Sequence, residues 1–170
     1  MPSTFLAPRW SDPGSYEESL RLLRTNLEAA LEGTDHAVVL FTSAQPLRDR
    51  TGVSAALGIS FALAGREVLV IDADLRAPRA HVHLHGDNSR GLADALAGSM
   101  APEDAIQDVP APEGVRALGG LQLMAGGSPV SNPTDLISGK RMADLLESVS
   151  LQVDLVLVDA PPVLSRADAL

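Results

Sequence analysis

Three aspartates carry the first chemical signal in the chain. Asp72 and Asp74 follow the apolar run EVLVI, and Asp159 follows DLVLV. Asp72 and Asp74 are two positions apart, so an extended backbone turns both carboxylates to one side. Paired acids beside a loop-to-helix junction suit Mg²⁺ and a positioned water, because magnesium is held by one or two carboxylates together with phosphate oxygens. The plainer reading is that acids end strands and cap the next element; for any one of them alone both readings stand. A second set, His81, His83 and His85, would present three imidazoles on one face of a strand, as zinc or nickel requires, but on a loop it is only a run of surface histidines.

These residues need elements to hold them. AVVLFTS (37–43), EVLVIDA (67–73) and DLVLVDA (154–160) are continuous apolar runs without alternation, the pattern of strands covered on both faces in a parallel sheet. VSAALGISFALAG lies between the first two and reads as a helix closed by Gly65, giving a right-handed βαβ crossover. In such sheets ligands sit beyond the carboxyl ends of the strands, where TSAQPLRDRTG (42–52), DADLRAPR (72–79) and DAPPVL (159–164) fall. Residues 16–32 form an amphipathic helix, with a Ser15–Glu18 capping box, Tyr16, Leu20, Leu23, Leu27 and Ala30 at helical spacing, and Gly33 as its stop. GLADALAG (91–98), PEDAIQ (102–107) and TDLISGKRMADLLESV (134–149) read as further helices, and LQLMAGG (121–127) as a strand entering a glycine loop. Asn132-Pro133 fixes the start of the last helix. Residues 1–14 carry three prolines and no periodicity, which predicts a flexible arm before a domain spanning 15–170.

Composition narrows the function classes. The 170 residues carry 13 Lys and Arg against 22 Asp and Glu, a net charge of −9, which argues against nucleic acid as a partner. There is no cysteine, so disulfides, thiolate metal sites and cysteine nucleophiles are excluded. No apolar run approaches the ~18–20 residues of a membrane span, and the N-terminus lacks a signal-peptide core, so the chain is expected to be soluble by itself, and the lack of cysteine permits a reducing cytoplasm.

Taken together, the motifs resemble the cytoplasmic P-loop domain of the bacterial tyrosine kinases, relatives of the MinD/ParA ATPases that act in capsule and exopolysaccharide export. The likeness runs collinearly through ESLRLLRTNLE, VVLFTSAQP, LAGREVLVIDADLRAPRAH, GLADALAG, GGSPVSNPTDLISG, RMADLLE and DLVLVDAPPVLSRADAL. IDADLR followed by Pro78 and His81 is its most specific part. The resemblance implies a three-layer α/β sandwich built on a parallel sheet, shortened at its C-terminus so that a sheet edge or apolar face is left open. It implies ATP or ADP with Mg²⁺ as cofactors, should the site bind any. Arg50 would contact the phosphates, Thr51 and Asp74 would hold the metal, Asp72 would act near the attacking hydroxyl, and Asp159 would be the Walker-B acid. Glu18, Arg21 and Arg24 match the family's E-x-x-R-x-x-R pattern, which implies ring-like self-association. On a helical wheel they spread over about 120° beside the leucine stripe; the alternative is a solvated charged edge. The implied partner is a membrane polysaccharide co-polymerase or its cytoplasmic segment, with the domain peripheral to the inner face of the membrane. Around the three histidines the resemblance implies an irregular or helical stretch, with only His81 typical.

The chain departs from the family at one loop and at its tail. The family's P-G-E-G-K-[ST] loop would begin at Pro46, which puts Leu47 and Asp49 in place of the two glycines and Arg50 in place of the lysine, while Thr51 is kept. The glycines let backbone N–H groups close around phosphates, and the lysine reaches the β and γ oxygens. Leu47 costs about 1–2 kcal/mol if a left-handed conformation is needed there. Asp49 opposes each phosphate charge by about 3 kcal/mol at ~5 Å and an effective dielectric near ~20. A combined loss of about 4–5 kcal/mol is roughly thousandfold in affinity. Arg50 keeps the charge on a longer planar fork. The expectation is a pseudokinase that acts as an assembly module. An active tyrosine kinase with an atypical loop and a MinD/ParA-like ATPase are the alternatives, the latter weakened by the absence of the signature lysine early in the loop. Tyr16 is the single tyrosine of the 170 residues, so phosphorylation on a tyrosine-rich tail of the family's kind is not expected of them, and packing beside Leu20 and Leu23 accounts for Tyr16.

Overall fold

A computed structural model describes residues 13–45, 49–110 and 119–163, with side chains from Tyr16 onward. Of the expected arm, Pro13 and Gly14 instead begin α1, which puts Ser15 inside the helix rather than at its cap; residues 1–12, the Ser15 side chain, Leu47 and the segment 164–170 lie outside the described residues. The elements are α1 (Pro13–Ala30), β1 (Ala37–Phe41), α2 (Arg50–Leu63), β2 (Val68–Asp72), α3 (Ala80–His83), α4 (Leu92–Ala97), β3 (Ile106–Asp108), β4 (Leu121–Met124), α5 (Pro133–Ile137), α6 (Lys140–Ser150) and β5 (Leu155–Asp159).

The sheet order is β1-β5-β2-β4-β3, with every pair parallel except β3 against β4. The three apolar runs are three adjacent parallel strands, β1 at the edge and β5 and β2 inside, and β2 and β5 are buried along their whole length. Alternation along those two strands splits the core in two. Val68, Val70, Leu155 and Leu157 face α2 and pack with Leu57, Phe61 and Leu84. Leu69, Ile71, Val156 and Val158 face the other way, against Leu92, Leu96, Met142, Leu145 and Val149 of α4 and α6. Helices therefore cover both faces, as three layers require. Gly58 lets α2 lie close on the sheet, since a Cβ there would come within 2.8 Å of Val70 Cγ2 and 3.3 Å of Leu121 Cδ1.

Three expectations change. β1 and β2 are parallel but not neighbours, because β5 pairs with both, so the β1–α2–β2 crossover spans the width of an extra strand. PEDAIQ is not a helix: Pro102–Ala105 makes one 3-10 turn, and Ile106–Asp108 then joins β4 as an antiparallel edge strand, satisfying backbone groups that a short isolated helix would leave open. The helix expected over 134–149 is broken at Gly139, whose extended backbone (ψ 163°) ends α5 and starts α6. Asn132 and Pro133 do begin α5. At the other side of the sheet, β1 has an open edge among the described residues, and its Val38 and Leu40 are 45% and 57% exposed on the face away from α2. No described helix is long and apolar enough to cross a membrane.

Candidate functional site

Register brings the acids together. Asp72 pairs with Asp159 across the β2–β5 ladder, at the carboxyl ends of adjacent central strands, although 87 residues of chain separate them. Both share parity with Val70 and Leu157, so both turn toward α2, and both are fully buried. Asp74 lies two residues beyond Asp72 and is more open, its side chain 20% exposed.

Asp159 is held from the head of α2. Arg50, the first residue of that helix, donates from Nε to Asp159 Oδ1 at 2.8 Å and from Nη2 to Oδ2 at 3.4 Å. Thr51 Oγ1 donates to the same Oδ2 at 2.6 Å. The guanidinium also reaches Asp74, Nη2 to Oδ2 at 3.6 Å, and is only 10% exposed. Burial pulls the Arg50 pKa down. Its hydrogen bond and charge contact with Asp159, with the charges of Asp74 and Asp72, outweigh that pull and leave the pKa raised. One cation thus serves two carboxylates in a fork geometry that suits arginine.

Asp72 has a different environment. Its carboxylate accepts backbone N–H groups from Asp74 (3.1 Å), Arg79 (2.7 Å) and Ala80 (2.8 Å), so the turn after β2 and the start of α3 are folded around it. Burial nevertheless pushes its pKa up to about 7; the Ala80 N–H opposes this, the Asp159 charge adds to it, and the Arg79 and Asp74 N–H groups oppose it again.

Asp49 fills the remaining corner. It precedes α2, makes no capping hydrogen bond with its side chain, and lays its carboxylate over Gly52, where an added Cβ would stand 2.7 Å from Asp49 Cγ. Its Oδ1 lies 3.6 Å from His83 Nε2. The positive end of a 14-residue helix is therefore met by the chain's own anion. Tyr16 feels the same charge: burial first, and then Asp49, raise its pKa, and its buried hydroxyl has no hydrogen-bond partner among the described residues.

The structure thus gathers Arg50, Thr51, Asp72, Asp74 and Asp159 into one cluster. The expected interface residues lie elsewhere: Glu18 and Arg21 are exposed on α1, and Arg24 is partly buried and pairs with Glu28 on its own helix at 3.2 Å. The histidines form no metal site. His81 and His83 lie on the single turn α3, where residues two apart point to different sides, and no group of three His, Cys, Asp or Glu among the described residues is placed to hold a metal. The role of His83 beside Asp49 is invisible in sequence, since it arises from the packing of α3 on α2.

The fold tests the implied magnesium directly. Thr51 and Asp74 are its expected ligands, yet the Thr51 hydroxyl is spent on Asp159 and Asp74 is paired with Arg50, which itself lies between the two carboxylates. A guanidinium in that position and a divalent ion compete for the same oxygens, so this arrangement does not fit the metal.

A parallel sheet with acids at the carboxyl ends of central strands, facing the head of the helix after β1, defines a P-loop-type α/β domain. No family model matches the chain. EpsB of Ralstonia solanacearum is 38% identical over 163 residues, covering 96% of this chain and 21% of EpsB. The tyrosine-protein kinase etk of Escherichia coli strain K12 is 36% identical over 152 residues, covering 89% of this chain and 20% of etk. The solved kinase domain of Escherichia coli ETK superposes with a TM-score of 0.81 at 35% identity, over 89% of this chain and 57% of that one. The cell division ATPase MinD of Pyrococcus furiosus shares the fold at a TM-score of 0.65 and 24% identity, over 79% of this chain and 53% of that one. The chain belongs to the bacterial tyrosine-kinase family, and it spans about a fifth of the length of EpsB and etk.

Proposed function

We propose that this domain is a pseudokinase: a tyrosine-kinase-like assembly module in exopolysaccharide or capsule synthesis or export, with weak or absent ATP binding. The observation that carries the reading is the Asp49 carboxylate lying over Gly52 at the head of α2, where a phosphate would need free N–H donors and positive potential. Phosphoryl transfer depends almost wholly on positioning and charge stabilisation. Among the described residues, Asp49, Asp74 and Asp159, with Asp72 part-protonated near neutral pH, face Arg50, which is already engaged, so an incoming triphosphate meets carboxylates there rather than free donors. As a module, the domain would self-associate through Glu18, Arg21 and Arg24 and sit at the inner face of the membrane through a co-polymerase partner. Calorimetric titration with Mg·ATP tests the reading: heats no larger than dilution up to millimolar nucleotide are expected, and micromolar binding would overturn it.

The retention of Asp72, Asp74, Asp159 and Thr51 in one cluster favours a second reading, an active ATP-dependent tyrosine kinase whose loop takes another form. In that case Arg50 would have to leave Asp159 and turn to the phosphates. Phosphate transfer from labelled ATP to a tyrosine-containing peptide distinguishes the two.

A further inference from the structure

The cation place of this site is filled by the chain itself. Arg50 lies between Asp159, at 2.8 Å, and Asp74, at 3.6 Å, and Thr51 donates its hydroxyl to Asp159 at 2.6 Å. Both oxygens of Asp159 accept from residues at the first turn of α2, and Asp74 Oδ2 is ion-paired to the same guanidinium. Asp159 is fully buried and the guanidinium 10% exposed, so the pair is shielded from solvent and from screening by salt. Removing either partner alone strands a buried charge.

We propose that Arg50 is the resident counter-ion of Asp159 and Asp74, standing against the carboxylates expected to hold magnesium, so that this site excludes divalent metal. This deepens the pseudokinase reading, on which it rests for the identity of the site. It implies that any phosphate-bearing anion the site accepts is bound without metal. Arginine suits the role because its charge is permanent and its planar fork spans two carboxylates, whereas lysine offers a compact point charge.

Mn²⁺ is the probe, read by the loss of the free-ion electron paramagnetic resonance signal on titration into the whole chain. Wild type is expected to bind none at millimolar concentrations and to show no thermal shift with Mg²⁺. Arg50→Gln, which keeps a polar side chain and opens the acids, is expected to gain a Mn²⁺ site and to rise in Tm by about 3 °C at roughly tenfold Kd of Mg²⁺. Wild-type binding of Mn²⁺ at submillimolar Kd, abolished by Asp74→Asn, would overturn the proposal. So would a folded Arg50→Gln that takes up no metal. Should that variant fail to fold, the wild-type titration still decides. ATP titrations in EDTA and in Mg²⁺ separate the two proposals. Micromolar binding in EDTA would overturn weak nucleotide binding and leave Arg50 as the cation, while micromolar binding that requires Mg²⁺ would overturn both.

Discussion

The strand ends and the head of α2 meet in one site but differ in what holds them. Asp72 and Asp159 are placed by the register of two buried parallel strands, and Asp72 is tied further by three backbone N–H groups. Their positions follow from the sheet and change only if the core changes. The head of α2 depends on the few residues that precede and begin it, and there Asp49 and Arg50 supply both an anion and a cation from within the chain. The acids are thus placed by the sheet, whereas the charges that meet them at the head of α2 come from Asp49 and Arg50.

Breaking the strand-end half has the largest expected effect. Asp159→Ala leaves the buried Arg50 without its hydrogen-bonded partner, with Asp74 at 3.6 Å as its remaining ion pair, and a loss of about 3–5 kcal/mol in unfolding free energy is expected by urea denaturation. A loss below about 1 kcal/mol would mean that the pair is a surface contact of little weight.

Asp72 gives the next effect through pH. Its carboxyl is raised to about 7 in the folded chain from 3.8, so the folded state holds a proton that the unfolded state has released. The stabilisation is complete below about pH 4 and is lost as pH rises through about 7, up to about 4 kcal/mol from this group. Denaturation of wild type and Asp72→Asn at several pH values between those limits should show a steeper fall in wild type. Parallel curves would remove the titration from Asp72.

Changes at the head of α2 should be smaller in stability and larger in binding. Asp49→Ala removes the charge at the helix N-terminus and is expected to cost about 0.3–1 kcal/mol. Affinity for inorganic phosphate should rise at least about tenfold by calorimetry, since a repulsion of order 3 kcal/mol is relieved. Smallest in folding energy is the outer surface of α1. Arg21→Ala with Arg24→Ala should leave the unfolding midpoint within about 0.5 kcal/mol of wild type. By sedimentation the double variant should shift self-association toward monomer, and identical behaviour of both proteins would argue against an interface there.

The unequal legibility of these regions has a physical basis. β2 and β5 are plain in the chain as VLVID and LVLVD, because a strand covered on both faces has no polar alternation to blur it. The two-residue spacing of Asp72 and Asp74 and the loop substitutions are local facts, open to reading from residue types alone. The insertion of β5 between β1 and β2 is not local, and neither is the Arg50–Asp159 contact across 109 positions, which exists only once β5 takes that place. The position of Arg50 in the family loop points to phosphate, and nothing in the sequence points to Asp159, the carboxylate it contacts in the folded chain. β3 has three residues and acquires strand character solely from β4 beside it. His83 reaches Asp49 through helix packing that leaves no periodic trace.

The most direct test of the central claim, that the loop and not the acids silences the site, is calorimetric titration of Mg·ATP into the chain carrying Leu47→Gly, Asp49→Gly and Arg50→Lys together. Binding at micromolar Kd, roughly a thousandfold gain over wild type, is the expected result. A folded triple variant that still binds no nucleotide, or a wild-type chain that already binds Mg·ATP at micromolar Kd, would contradict it.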